Sequence, residues 1–293
     1  MDPQETKEAN EPLAGNFEGI GVQYQMLEDT ITVISPVSGG PSEKVGIMPG
    51  YKIVEIDGEN ATGESITTSW VQKRLRGPKD SEVTVKVVRS GINELLDFTI
   101  VRDVIPLYSV DAHYMVNEEI GYIKLSKFAR TSVDEFDAAL QALQEQGMTK
   151  LIFDLRNNSG GYLDVAISLS DEFLSNDKLI VYTEGRSYPK QVAKATEEGD
   201  FENGDIVVLI NEGSASASEI VSGAIQDWDR GKIVGRRSFG KGLVQRPFKL
   251  ADSSEIRLTV ARYFTPSGRC IQKPYDNGNE DYFNDLANRL KHG

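Results

Sequence analysis

Residues 17–102 alternate apolar and polar positions in short runs, separated by Gly, Pro and Asp-Gly turns. A period of two is typical of strands that are buried on one side. The predicted strands cover residues 19–24, 31–34, 52–56, 83–88 and 97–100. Apolar residues recur at helical spacing at 41–46 and 65–75, which predicts two short helices between the strands. This part of the chain is therefore expected to form a small barrel or sandwich of ordinary domain size.

From Pro106 onward the pattern changes to strands that alternate with longer helical segments. The predicted strands cover residues 120–125, 150–155 and 206–210. The predicted helices run from Ser132 to the Gly147 that ends the pattern, from 163 to 174 and from 218 to 228. Strands and helices in alternation predict an α/β domain.

The composition excludes some classes of partner. The 293 residues are enough for two domains. The chain has 45 Asp and Glu against 32 Lys and Arg, and its net charge of −13 argues against nucleic acid as the main partner. The single Cys270 cannot form an internal disulfide. No apolar run reaches the length of a membrane span, and the acidic start is unlike a secretory signal, so we expect a soluble chain.

Ser216 lies in the run GSASASE at residues 213–219, between a predicted strand and a predicted helix. The sheets of α/β domains place reacting groups just beyond the carboxyl ends of their strands. The Ala217 amide near the helix start could stabilise an oxyanion. The alternative is that a serine here only caps the helix. The sequence does not decide which of Ser214, Ser216 and Ser218 is the reactive serine, although Ser218 makes the better helix cap.

A lysine could act as the base for such a serine. The chain has only His113 and His292, so a Ser-His-Asp arrangement would have to recruit His113 from an unremarkable stretch. Lys241 lies between two glycines in the segment SFGKG at 238–242. In a poorly solvated pocket an amine loses its preference for the charged form and can take a proton from a hydroxyl. The alternative is a surface lysine on a loop.

A second turn could supply amides to the same site. The segment DLRNNSGG at 154–161 follows another predicted strand and leads toward a helix. Gly160 and Gly161 have no side chains to block a ligand, so their backbone could donate to an oxyanion. The alternative is a tight turn that needs glycine for its positive φ.

Four motifs together resemble the carboxyl-terminal processing proteases, a Ser-Lys peptidase family whose extracytoplasmic members carry an inserted PDZ domain. The motifs are FEGIG at 17–21, DLRNNSGG at 154–161, SASASE at 214–219 and SFGKGLVQ at 238–245. The resemblance implies a ClpP/crotonase-like α/β protease core with a small β-rich PDZ domain. It implies that residues 1–16 belong to or lead into the core, that 17–104 form the PDZ domain, and that 105–293 form the rest of the core.

The natural protein could extend beyond both ends of this sequence. A basic and apolar leader could precede Met1. A helical pattern that includes Leu286 and Leu290 begins where the chain stops, so we expect the core to be truncated there.

The resemblance also implies roles for individual residues. Ser216 would be the nucleophile, Lys241 the base and Gln245 an orienting amide. Gln245 follows Lys241 by four residues in a segment expected to be extended, so alternate strand residues would put both side chains on one face. The family has an acidic residue at the place of Asp227, to which we assign a structural role.

The segment Gly19, Ile20, Gly21 and Val22 resembles the carboxylate-binding loop of PDZ domains. The resemblance implies a groove for the C-terminal tails of proteins, in which loop amides hold the carboxylate and the following strand pairs with the peptide. The alternative is a β-rich domain that packs against the core and binds no ligand.

The sequence thus predicts a serine endopeptidase that cleaves proteins near C-terminal tails captured by its PDZ domain. No metal or organic cofactor is required, the partners are protein or peptide substrates, and oligomers are possible. The resemblance places the protein in the bacterial cell envelope, peripheral to the membrane at most. One alternative is an inert PDZ scaffold that only binds peptides. Another, on the crotonase-like fold, is an acyl-CoA enzyme.

Overall fold

The computed structural model describes residues 6, 11, 13–196, 199–252, 254–275, 278, 284 and 285. Asn16–Leu107 form one compact unit, and the described residues on either side of them form the other. The predicted boundary between residues 104 and 105 falls inside the strand Asp103–Pro106. The predicted C-terminal helix and His292 lie outside the described residues, apart from positions 284 and 285.

The unit Asn16–Leu107 is mostly β. Its strands are β1 Asn16–Gly19, β2 Val22–Leu27, β3 Thr30–Pro36, β4 Lys52–Ile56, β5 Glu59–Asn60, β6 Glu82–Val88, β7 Leu96–Val101 and β8 Asp103–Pro106. Its helices are α1 Pro41–Lys44 and α2 Thr68–Leu75. The main sheet has the order β2-β3-β4-β6-β7, and β1 pairs with β8. Alternate residues of these strands, such as Ile31, Ile53 and Val85, are fully buried beneath α2, where Val71 meets them.

The predicted strand at 19–24 is wrong in one respect, because the structure breaks it at Ile20 and Gly21. Gly21 has a φ of +68°, a conformation that suits glycine. The carbonyls of both residues accept bonds from outside a strand ladder, Ile20 from Ser42 and Gly21 from Val37. The break turns the segment into a loop between β1 and β2. The other predicted strands and both predicted helices of this unit are confirmed within three residues.

The described strands of the other unit form two sheets, with helices between them along the chain. Its strands are β9 Val110–Met115, β10 Ile120–Leu125, β11 Lys150–Asp154, β12 Leu179–Gly185, β13 Tyr188–Lys194, β14 Asp205–Ile210, β15 Lys232–Gly235, β16 Leu243–Lys249 and β17 Glu255–Phe264. Its helices are α3 Ser132–Gln144, α4 Leu163–Asp171 and α5 Ala217–Asp227. One sheet has the order β15-β14-β11-β10-β9 and the other the order β13-β12-β17-β16. The predicted α/β domain is confirmed.

Packing of the helices on the first sheet explains why these segments are helical. The buried residues of α3 recur at helical spacing, and the Phe136 ring packs at a tilt against that of Phe153 of β11, with ring centroids 5.1 Å apart. Phe173, just after α4, contacts both rings. Nine of the residues of α5, from Ala217 to Ile225, are buried, so this helix crosses the middle of the core.

The direction of the strands fixes where the site lies. Strands β10, β11, β14 and β15 are parallel, and Asp154 at the end of β11 pairs with Leu209 near the end of β14. Neighbouring strands lie about 4.8 Å apart. The turns that follow β11 and β14 therefore emerge side by side at the carboxyl edge of the sheet.

Candidate active site

Ser216 occupies a strained turn between β14 and α5. Its backbone has φ 56° and ψ −111°, and it is the N-cap of α5. A residue other than glycine with such angles costs about 1–3 kcal/mol and persists only when its surroundings hold it. This geometry is the one in which a sharp strand-to-helix turn presents a serine hydroxyl above a sheet.

The structure separates the three neighbouring serines. The Ser214 hydroxyl donates to the carbonyl of Leu155 at 2.7 Å, and the Ser218 hydroxyl donates to the carbonyl of Asn158 at 2.8 Å. Both side chains are fully buried, whereas Ser216 is partly exposed. The expectation that Ser218 caps the helix is wrong, because the helix begins at Ala217 and Ser218 lies in its first turn. Ser216 alone combines the turn position with access to solvent.

The turn after β11 packs directly on the Ser216 turn. A Cβ added to Gly160 would lie 2.8 Å from the Cβ of Ser216 and 2.9 Å from the amide nitrogen of Ala217. Ala217 is the first residue of α5, so its N–H has no acceptor within the helix. The Gly160 N–H donates to the side-chain oxygen of Asn158 at 2.9 Å and is not available to a ligand in this arrangement. Gly161 follows it in the same turn.

Two asparagines that the sequence reasoning left unassigned hold these turns together. Asn158 is fully buried, and besides bonding Gly160 it donates from its amide to the carbonyl of Leu125 at 2.9 Å. The Asn211 side chain accepts from the backbone N–H of Asn157 at 2.8 Å and donates to its side chain. The signal that identifies these two asparagines is a buried polar side chain between two turns. That signal can be seen only when the fold is known.

Asp154 at the end of β11 anchors the start of the same turn. Its fully buried carboxylate accepts from the Tyr122 hydroxyl at 2.6 Å and from the Arg156 guanidinium at 2.6 Å. Burial alone would raise the pKa of Asp154, but the bonds from Arg156 and Tyr122 outweigh it and hold the pKa below its usual value. Burial and the same carboxylate raise the pKa of Tyr122 to about 12.

Lys241 lies in a loop that comes close to Ser216. The backbone N–H groups of Ser216 and Lys241 both donate to one oxygen of Glu219, at 2.8 and 2.9 Å. The two nitrogens are therefore at most about 6 Å apart, since each is one hydrogen bond from the shared oxygen. The Lys241 residue is exposed, so the described residues do not form the poorly solvated pocket that was predicted for it.

Gln245 lies on β16 and is exposed. The structure does not place Lys241 and Gln245 as alternate residues of one strand, because Lys241 precedes β16 by two residues. The register shift between Val244 and Gln245 skips Val260, so the extra residue belongs to the neighbouring strand β17 and not to β16. The orienting role of Gln245 stays a prediction from the resemblance.

His113 does not belong to this site. It lies exposed on β9, at the edge of the sheet, and β10 and β11 separate β9 from β14. Three strand spacings amount to about 14 Å, which is too far for a hydrogen bond to Ser216.

Asp227 at the end of α5 is a structural anchor rather than a solvated side chain. Only 4% of the side chain is exposed. Its carboxylate accepts the backbone N–H of Ser267 at 2.9 Å and the Ser267 hydroxyl at 2.6 Å, and it also pairs with Arg269. Burial alone would raise the pKa of Asp227, but these bonds outweigh it and lower the pKa.

A groove of about 620 Å³ lies between β2 and α2 in the unit Asn16–Leu107. Ile20 and Val22 line it beside the loop, Leu75 lies on the helix, and Gln23 and Gln25 add polar groups along the strand. A Cβ added to Gly21 would lie 2.8 Å from the Cδ1 of Ile105, so a side chain there would require Ile105 to shift. Gly19 lies at the end of β1 and bridges to Arg76. β2 lies at the edge of its sheet, and an edge strand is where an extended peptide can add to a sheet.

The described residues lack two further features. No helix in the part of the chain that the structure describes is both long and apolar enough to cross a membrane. No cluster of three His, Cys, Asp or Glu side chains within the same residues could hold a metal ion.

The fold and this site define a peptidase-type α/β core that carries a PDZ domain. The sequence profile of Peptidase family S41 matches residues 119–278, and that of the PDZ domain matches residues 19–100. The chain therefore belongs to peptidase family S41, as the four motifs predicted.

Two curated relatives are named carboxy-terminal processing proteases. The chain is 40% identical over 277 residues to a carboxy-terminal-processing protease of Bartonella bacilliformis, covering 93% of this chain and 63% of that protein. It is 34% identical over 273 residues to the carboxy-terminal processing protease CtpA of Bacillus subtilis, covering 93% of this chain and 58% of that protein. The chain thus spans less than two thirds of the length of these relatives.

Solved structures share the fold. The photosystem II D1 C-terminal processing protease superposes with a TM-score of 0.55 and 27% identity, covering 93% of this chain and 74% of that chain. A putative S41 protease from Bacteroides fragilis superposes with a TM-score of 0.54 and 18% identity, covering 89% of this chain and 77% of that chain. The second likeness concerns the fold alone.

Proposed function

We propose that this chain is the catalytic part of a serine endopeptidase in which Ser216 is the nucleophile and Lys241 the base. One observation carries the proposal: the strained Ser216 turn and the Lys241 loop are bonded to the same carboxylate oxygen, so their backbones lie within about 6 Å. A lysine side chain can span such a gap to a neighbouring hydroxyl. Nucleophile and base within reach of each other are the signature of covalent catalysis.

The reaction is acyl transfer in two halves. The neutral Lys241 amine takes the proton of the Ser216 hydroxyl as the oxygen attacks the peptide carbonyl. The C–N bond then breaks, Lys241 returns the proton to the leaving amine, and the acyl group stays on Ser216 as an ester. Water, deprotonated by the same amine, then attacks the ester, and the bond between the carbonyl carbon and the Ser216 oxygen breaks. The Lys241 ammonium returns its proton to the Ser216 oxygen, and the carboxylic acid product loses its proton to solvent as it leaves.

Backbone amides would stabilise the oxyanion of each tetrahedral intermediate. The Ala217 N–H at the start of α5 is one donor and Gly161 is the other, while the bond of Gly160 to Asn158 gives Gly160 a packing role instead. One such donor contributes about 3–4 kcal/mol in comparable sites. Lys241 is exposed in the described structure, and we propose that the bound substrate excludes water from it.

The groove between β2 and α2 would hold the C-terminal tail of the substrate. The amides of Ile20, Gly21 and Val22 would receive the terminal carboxylate, and the edge of β2 would pair with the tail. The match of residues 19–100 to the PDZ domain supports this assignment. Location in the bacterial cell envelope, oligomerisation and the natural substrate stay predictions from the resemblance.

Replacing Ser216 by Ala is expected to abolish cleavage of an unfolded, tail-tagged protein without changing tail binding. The measurement pairs a gel assay of cleavage with fluorescence anisotropy of a labelled tail peptide. A peptide with an amidated C-terminus is the control for the groove, and it should bind at least about tenfold more weakly, because the amide removes the charge that the loop receives. Cleavage by the Ser216→Ala protein would refute the nucleophile, and a wild type that binds but never cuts would leave a peptide-binding scaffold.

A further inference from the structure

One carboxylate joins the Ser216 turn to the Lys241 loop. Glu219 lies in the first turn of α5 and is 6% exposed. Its Oε2 accepts the N–H groups of Ser216 and Lys241, at 2.8 and 2.9 Å. Its Oε1 accepts the Ser238 hydroxyl and the Gly240 N–H, both at 2.7 Å. Four donors from two separate segments therefore meet on a single side chain.

Helix capping explains only one of these four bonds. A glutamate three residues after the N-cap commonly reaches back to the N-cap N–H, as Glu219 does to Ser216. The other three bonds go to Ser238, Gly240 and Lys241, which lie beyond β15 and outside the helix. A glutamate that only capped α5 would need none of them.

The burial of the charge makes the arrangement specific. A buried carboxylate is costly unless hydrogen bonds satisfy its oxygens. Here the donors of both segments, together with the positive end of α5, compensate the Glu219 charge. Both Glu219 oxygens have their hydrogen-bond donors only when the Ser216 turn and the Lys241 loop are both next to the carboxylate. Its bonds thus set the distance between the two backbones.

Other contacts hold the Lys241 loop independently of Glu219. The Phe239 N–H donates to the carbonyl of Ser214 at 3.0 Å, and the Gly242 N–H donates to the side chain of Gln272 at 2.9 Å. The Gly242 carbonyl accepts from Tyr263 at 2.8 Å. Loss of the Glu219 bonds is therefore expected to shift residues 240 and 241 rather than to unfold the loop.

We propose that Glu219 is a positioning residue that holds the base at its working distance from the nucleophile. It acts through the backbone of Ser216 and Lys241 and touches no reacting atom. This inference rests on the proposed roles of Ser216 and Lys241. It assigns to Glu219 an effect on the chemical step and none on the capture of the substrate tail.

The test is the Glu219→Gln protein, in which one amide oxygen replaces two carboxylate oxygens and an NH2 group faces two of the donors. We expect kcat for peptide cleavage to fall about 100-fold or more, with KM within about threefold of wild type, because a shift of about 1 Å between reacting groups costs that much. Hydrogen exchange of the amides at 240 and 241 should become faster, while exchange in α3 stays unchanged. The matched control is Glu212→Gln, which removes an exposed ion pair with Arg236 from the same β14–α5 connection and should leave kcat and exchange as in wild type.

Three results would overturn the proposal: a kcat close to that of wild type, a loss confined to KM, or unchanged exchange at 240 and 241. Unfolding of the Glu219→Gln protein at the assay temperature would also overturn it, because the main role of the carboxylate would then be to stabilise the fold and not to position Ser216 and Lys241. Ser216→Ala and Lys241→Ala in the same series separate this proposal from the proposed function. If both are inactive and Glu219→Gln is normal, only the positioning role fails; if both stay active, the proposed function fails first.

Discussion

The Lys241→Ala protein is expected to cleave an unfolded substrate with a kcat at least about 1,000-fold below that of wild type, since a positioned general base contributes about 100- to 10,000-fold. The effect should fall on kcat and leave KM nearly unchanged, because the proposed tail-binding groove is lined by other residues. The loop itself is bonded through the backbone of Lys241 rather than its side chain, so the Ala variant should fold. Steady-state kinetics with a labelled peptide substrate measure both constants.

The Lys241→Arg protein makes the prediction sharper. Arginine keeps the positive charge and the length of the side chain but cannot lose its proton in a protein. If Lys241 acts as a base, the Arg variant is as inactive as the Ala variant. If Lys241 contributes only its positive charge to the site around Ser216, the Arg variant retains activity and the proposed role as a base is wrong. Lys249→Ala, at an exposed position on β16, is the matched control and should behave as wild type.

The Gly160→Ala protein is the second variant with a large expected effect. The new Cβ would lie 2.8 Å from the carbonyl of Ala215 and from the Cβ of Ser216, and 2.9 Å from the nitrogen of Ala217. Such distances force the two turns apart at the point where the proposed nucleophile, Ser216, and the proposed oxyanion donor, Ala217, meet. We expect kcat to fall about 100-fold or more, as in sites that lose an oxyanion donor.

A matched glycine separates this contact from backbone strain. Gly160 has a φ of +100° and Gly147 a φ of +97°, so alanine is strained at both by about 1–2 kcal/mol. At Gly147, however, the nearest atom to a new Cβ is 3.6 Å away, which is an ordinary contact. Gly147→Ala should lower the melting temperature and keep kcat. Equal activity of the two variants would show that the Gly160 contact does not matter for catalysis.

Local patterns predicted much of the fold. Periodicity located the helices α3, α4 and α5 and the strands β10, β11 and β14, because each buries one face or both within its own length. The second sheet was not predicted. In β16 a proline at 247 and mostly exposed residues hide the strand, which lies at the edge of its sheet, where proline is tolerated.

The candidate site was predictable in its residue types but not in its contacts. The motifs and their order identified Ser216, Gly160 and Lys241 as candidate site residues. The bonds of Glu219, the asparagine contacts between the turns and the exposure of Lys241 depend on chain segments far apart in sequence, and no local pattern encodes them. The register shift opposite Gln245 likewise depends on how β16 pairs with β17.

Trapping of the acyl-enzyme tests the central claim most directly. The protein is mixed with a peptide ester whose acyl group leaves slowly, quenched in acid, digested and mapped by mass spectrometry. We predict one added acyl group, on Ser216, that disappears in the Ser216→Ala protein and forms far more slowly in the Lys241→Ala protein. An adduct on any other residue, or one that forms at the wild-type rate without Lys241, would contradict the account.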